Sequence, residues 1–107
     1  MQEIADRLRH LLMDDPNISE KKMFGGVCFM LNGNMLCGPV KNGDLMLRVG
    51  KDYEDEVRAR PHTRPMDFTG KPMKGFVFVD QAGLETEAEL KEWVSLARRF
   101  VGALPPK

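Results

Sequence analysis

Apolar residues in the first dozen positions recur at helical spacing. Ile4, Leu8, Leu11 and Leu12 share one face, and "DDPN" at 14–17 ends the pattern, which predicts a short amphipathic helix. The pattern then changes. "LNGN" and "KNGD" each set Asn-Gly between apolar runs, the preferred pair for a two-residue hairpin loop. This predicts a three-stranded meander at about 24–31, 34–40 and 44–49. Tyr53 and Val57 at i, i+4 predict a short second helix that Pro61 stops. "RPMDF" and "KGFVFVD" predict two more strands, with Gly70, Lys71 and Pro72 in the connection because a central proline breaks a ladder. Finally, Thr86 and Glu89 form a capping-box pattern, and Leu90, Trp93, Val94, Ala97, Val101 and Leu104 follow helical spacing. The predicted order is α-β-β-β-α-β-β-α: a two-layer α+β domain, 1–107, with helices on a five-stranded antiparallel sheet.

Two-residue loops fix which residues face each other. They pair Leu31 with Asn34, Met30 with Met35, Phe29 with Leu36 and Cys28 with Cys37. Beyond Asn42-Gly43 they pair Val40 with Leu45 and Cys37 with Arg48. One face then carries Val27, Phe29, Leu31, Leu36, Val40, Leu45, Leu47 and Val49, the side expected beneath the helices. The other carries Cys28, Met30, Met35, Cys37, Met46 and Arg48. It is too apolar for an ordinary solvated face, so it is the candidate interaction surface.

Composition narrows the chemistry. The 107 residues are 42% hydrophobic and 30% charged, as in an ordinary globular domain, and 16 basic residues balance 16 acidic ones. No net field draws in nucleic acid or anionic lipid. No apolar run approaches the roughly 20 residues of a membrane span, and "MQEIADRLRH" lacks a signal-peptide core. Cytoplasmic location is expected. There the two cysteines are expected as reduced thiols, although facing positions on paired strands would sterically permit a disulfide.

No metal site is expected, because the cysteines lack a CxxC partner set and His10 and His62 lack ligand-spaced companions. "FGG" opens a strand rather than a helix, so Gly25-Gly26 is expected to allow a bulge or close approach, not to cradle phosphate. No cofactor is implied. Arg58, Arg60, Arg64, Lys71 and Lys74 make the middle of the chain locally basic: a solvated surface, or a small anion or nucleic-acid patch with few aromatics for stacking. Nothing pairs carboxylates or sets a nucleophile beside a base, so no enzyme is expected.

"KKMFGGVCFMLNGNMLCG", "LMLRVG", "RPMDFTGKPMKGFVFVD" and a closing helix ending "LPPK" together resemble the N-terminal domain of the TfoX/Sxy family over nearly the whole chain. The resemblance implies a fold like that of type III secretion chaperones. Members named for competence are bacterial regulators of DNA-uptake genes and carry a second, helical domain, for which this chain leaves no room. A stand-alone N-terminal domain is implied, with no catalytic residues to carry over. The expected function is a bacterial protein-interaction or regulatory module, homodimeric or bound to a protein partner. The alternative is a nucleic-acid-linked regulator working through 58–74.

Overall fold

The computed structural model describes residues 4–23, 26–40, 43–68 and 71–107. Three helices are present, α1 (Ile4–Leu12), α2 (Glu54–Arg58) and α3 (Glu87–Val101). Six strands, not five, build the sheet: β1 (Ile18–Met23), β2 (Gly26–Leu31), β3 (Asn34–Pro39), β4 (Leu45–Arg48), β5 (Thr63–Phe68) and β6 (Lys71–Val79). Every pairing is antiparallel, and the spatial order is β1-β2-β3-β4-β6-β5.

The added strand is β1, "ISEKKM", paired with β2 from Ile18 opposite Leu31 to Met23 opposite Gly26. Ser19 to Lys22 are all exposed, so no apolar alternation announces this strand. Its charged side chains blunt a sheet edge that would otherwise template pairing with another chain. The opposite edge, β5, carries Pro65. Pro72 lies within β6 opposite Asp67, not in the connection as expected. β4 pairs only with Phe76 to Val79, so Pro72 meets one neighbouring strand and its missing N–H breaks no second ladder.

α3 forms as its sequence predicts. The Thr86 hydroxyl accepts from the Glu89 N–H at 3.1 Å, and the Thr86 N–H donates to Glu89 Oε1 at 3.0 Å. Such a cap is worth about 1 kcal/mol. Leu90, Trp93, Val94, Ala97 and Val101 are buried, joined by Leu96. The Trp93 indole satisfies its N–H on Gly83 O at 2.8 Å. Leu8 and Leu12 of α1, Val57 of α2 and the buried side of α3 enter one core with Phe29, Leu31, Leu36, Leu45, Leu47, Val49, Val77 and Val79. All three helices therefore share one sheet face. After α3, Asn34 Nδ2 donates to Pro105 O at 3.0 Å and the Lys107 N–H to Asn32 O at 2.8 Å, which lays "PPK" on the β2–β3 hairpin.

The register departs from the two-residue-loop expectation in two places. Leu31 pairs with Asn34 and Met30 with Met35 as expected, but Phe29 faces Cys37, because β3 accommodates an extra residue between Phe29 and Met30 of β2. Cys28 and Cys37 are therefore not opposite one another. The β3–β4 connection is also longer: Pro39 faces Leu45, and Val40 closes it through its N–H to Asp44 O at 3.0 Å. Cys37 consequently faces Leu47, not Arg48. Asn42 and Gly25 lie outside the described residues. At Gly26 the β1–β2 register runs unbroken and a Cβ would meet Pro39 O at an ordinary 3.7 Å, so neither the bulge nor the close approach expected of the glycine pair falls on Gly26.

Candidate functional site

The bulge re-sorts the two sheet faces. Cys37 joins the helix-side core, whereas Val40 joins the opposite face with Cys28, Met30, Met35 and Met46. That opposite face runs on across the sheet, with Phe78 beside Met46 and Phe76 beside Arg48. Met66 of β5 and Met73, Phe76 and Phe78 of β6 pack with it, leaving Cys28, Met46 and Met66 each 1% exposed. A second register shift lies between Pro65 and Asp67, at Met66; such bulges bend a strand. Met30 and Met35 are half-buried. Among the described residues Met13 is the one large apolar side chain that is exposed.

Both cysteines are free thiols. Burial pushes each thiol above its ordinary range, and for Cys37 the neighbouring Cys28 adds to the effect. Thiolate is the reactive form, so neither should be labelled by a disulfide reagent in native buffer, and both should react once urea unfolds the chain. Because the folded values are raised, unfolded thiols ionise first. The contribution is intact below about pH 8.5 and is lost as pH rises beyond it. Prompt labelling of the native protein would contradict this burial.

The basic segment does not gather into one patch. Arg64 is held by Asp80 at 2.7 Å and by the buried Asp44, with Phe78 beneath its guanidinium. The Asp80 hydrogen bond, and then Asp44, raise its pKa above the ordinary arginine value. Asp44 also accepts from the Gln81 N–H at 3.2 Å, so this triad ties the β3–β4 connection to β5 and the end of β6. Arg60 pairs with Glu92 at 3.8 Å and lies over Trp93. Arg58 is exposed at the end of α2, and the Lys71 side chain lies outside what is described. Lys74 stands apart from Arg64, which pairs with Phe78 four residues further along β6, about 13 Å at strand rise.

Lys74 instead belongs to a cleft of about 300 Å³ lined by Arg48, Gly50, Lys51, Asp52, Lys74, Gly75, Phe76 and Phe100. Three separated segments build it: the end of β4 with the following turn, the middle of β6, and the last turn of α3. Val49 and Gly50 N–H both donate to Gly75 O, at 2.8 and 3.0 Å. Glu54 Oε1 of α2 accepts from the Gly75 N–H at 2.6 Å from behind. Arg48 is half-buried, with its guanidinium carbon 5.8 Å from the Phe76 ring centre and 5.5 Å from that of Phe100. Arg7, Arg9, Arg60, Arg64, Arg98 and Arg99 each form an ion pair with a carboxylate. Arg48 forms none among the described residues, although it is placed by two aromatic faces.

A guanidinium has five N–H donors and no acceptor. Fixed by cation–π contacts and flanked by Lys51 and Lys74, it suits an anion. Asp52 is the cleft's one lining carboxylate, so no carboxylate pair faces the space. Sequence reasoning placed Arg48 on one candidate surface and Lys74 on another, and it missed Gly50, Lys51, Gly75, Phe76 and Phe100 as a unit. The available signal was the Gly50-Lys51 step just past one strand and the Lys74-Gly75 step within another.

Among the described residues no group of three or more His, Cys, Asp or Glu is arranged to hold a metal ion, and no helix is long and apolar enough to cross a membrane. A six-stranded antiparallel sheet covered on one face by three helices, with a cationic cleft at the β4–β6 junction, defines a small α+β domain. The chain belongs to the TfoX N-terminal domain family, which it matches over residues 10–101, from the end of α1 to the end of α3. Neither a curated protein nor a solved structure is significantly similar to it.

Proposed function

We propose that this chain is a non-catalytic recognition module, an interaction or regulatory unit of the TfoX N-terminal type, that binds an anionic partner group in the β4–β6 cleft. The observation that carries this reading is Arg48, the arginine set between Phe76 and Phe100 with no carboxylate partner among the described residues, beside Lys51 and Lys74. Three of the four charged residues that line the cleft are cationic, which favours an anionic partner. The two sheet edges, charged in β1 and proline-bearing in β5, do not invite strand addition.

Calorimetric titration at low ionic strength with inorganic phosphate and with a Glu-rich peptide tests the reading. At least one is expected to bind, with affinity falling as salt rises. Arg48→Gln should weaken that binding about tenfold or more, as loss of a charge-assisted hydrogen bond predicts. No binding, or equal binding by a folded Arg48→Gln variant, would contradict it.

A further inference from the structure

The cleft's charge and size specify more than its sign. Arg48, Lys51 and Lys74 face it with Asp52 as the one lining carboxylate, which leaves two positive charges uncompensated. The cations come from different places: Arg48 from β4, Lys51 from the turn, Lys74 from β6. A carboxylate or a phosphodiester brings one negative charge. A phosphomonoester brings about −1.5 to −2 at pH 7 and three strong acceptor oxygens, and arginine meets phosphate with two parallel N–H bonds. The volume of about 300 Å³ lies at the lower end of ligand sites. It accommodates a phosphate on a short body. Phe76 and Phe100 supply the apolar wall for that body while their faces hold Arg48. Glu54 is turned to the Gly75 N–H and does not line the space.

We infer that the β4–β6 cleft is a phosphomonoester site, with Arg48 gripping the phosphate and Lys51 and Lys74 neutralising its second charge. This rests on the anion-binding reading above and narrows it. The shared chemistry has two sources, a small phosphorylated metabolite and a phosphorylated side chain of a protein.

Binding of methyl phosphate, dimethyl phosphate and acetate to the intact chain is compared by calorimetry, with glycerol phosphate and a capped phosphoserine tripeptide as further arms. Methyl phosphate is expected to bind at least about tenfold tighter than dimethyl phosphate or acetate. Arg48→Gln should lose most of that preference, and Arg48→Lys, which keeps the charge without the fork, should keep part of it. Tighter binding by either further arm supports the inference and names the source. Equal binding of monoester, diester and acetate overturns the inference and leaves an unselective anion cleft standing. No binding by any of them overturns the inference, and no binding by the Glu-rich peptide either removes both readings. Circular dichroism of each variant separates lost contacts from lost fold.

Discussion

Gly38→Ala is expected to destabilise the domain by about 3 kcal/mol, combining overpacking with a weakened ladder hydrogen bond. A methyl at Gly38 would lie 2.6 Å from Val27 O and 3.2 Å from Cys28 Cα. Both are backbone atoms of β2, so no side chain can swing aside. To relieve the contact, β2 would have to move away from β3, and with it the buried Cys28 and Phe29. In a domain of about this size that cost lowers the melting temperature by more than about 10 °C. The sign tests the bulge. In an unbroken register an alanine in mid-strand would gain about 0.5–1 kcal/mol over glycine. Gly26→Ala is the internal control, because a methyl there meets Pro39 O at an ordinary 3.7 Å. Urea unfolding of the two variants side by side reads the difference, and a Gly38→Ala protein as stable as wild type would contradict the bulged pairing.

Gly50→Ala is expected to cost a similar amount for a different reason. Gly50 has φ 89°, on the side of backbone space that an L side chain enters at about 1–2 kcal/mol. Its new methyl would also stand 2.6 Å from Phe100 Cγ. Moving that ring removes one of the two faces that hold Arg48. The predicted outcome is therefore a double loss, about 3 kcal/mol of stability and weakened anion binding under conditions where the variant is still folded. Retained stability together with unchanged binding would show that the turn and Phe100 do not shape the cleft.

These two glycines also mark what could be read from the chain. α3 was legible because three kinds of signal agree there: Thr86 with Glu89 at the cap, apolar spacing from Leu90 to Val101, and the Pro-rich stop. The Asn32-Gly33 turn was legible because its backbone needs positive φ at both positions, 53° and 83°, which that pair supplies. β1 was hidden because an exposed edge strand has no buried alternate residues to show. The bulge was hidden too, because one inserted residue leaves the alternation of β2 and β3 intact on either side of it. Its effect appears only in which residues face each other, and it moved Cys37 and Val40 between faces. The cleft was least legible. Its residues come from 48–52, 74–76 and 100, and only the fold makes neighbours of them.

The Met-rich face illustrates the same limit from the other side. Its composition, Cys28, Met30, Met35 and Met46, was visible in the sequence, but which residues continue it across the sheet was not. Met66, Met73, Phe76 and Phe78 belong to a distant hairpin that the alternation alone does not aim. Methionine suits such a junction because its flexible thioether fills irregular gaps where strands bend.

The most direct test is an amide NMR map of the wild-type chain and Arg48→Gln during titration with methyl phosphate. The recognition-cleft account predicts shifts centred on Gly50, Lys51, Gly75 and Phe76 in the wild type, and their loss in the variant. Shifts centred on Arg58 to Arg64, shifts centred on Met30 and Met35, or no shifts at all would contradict it.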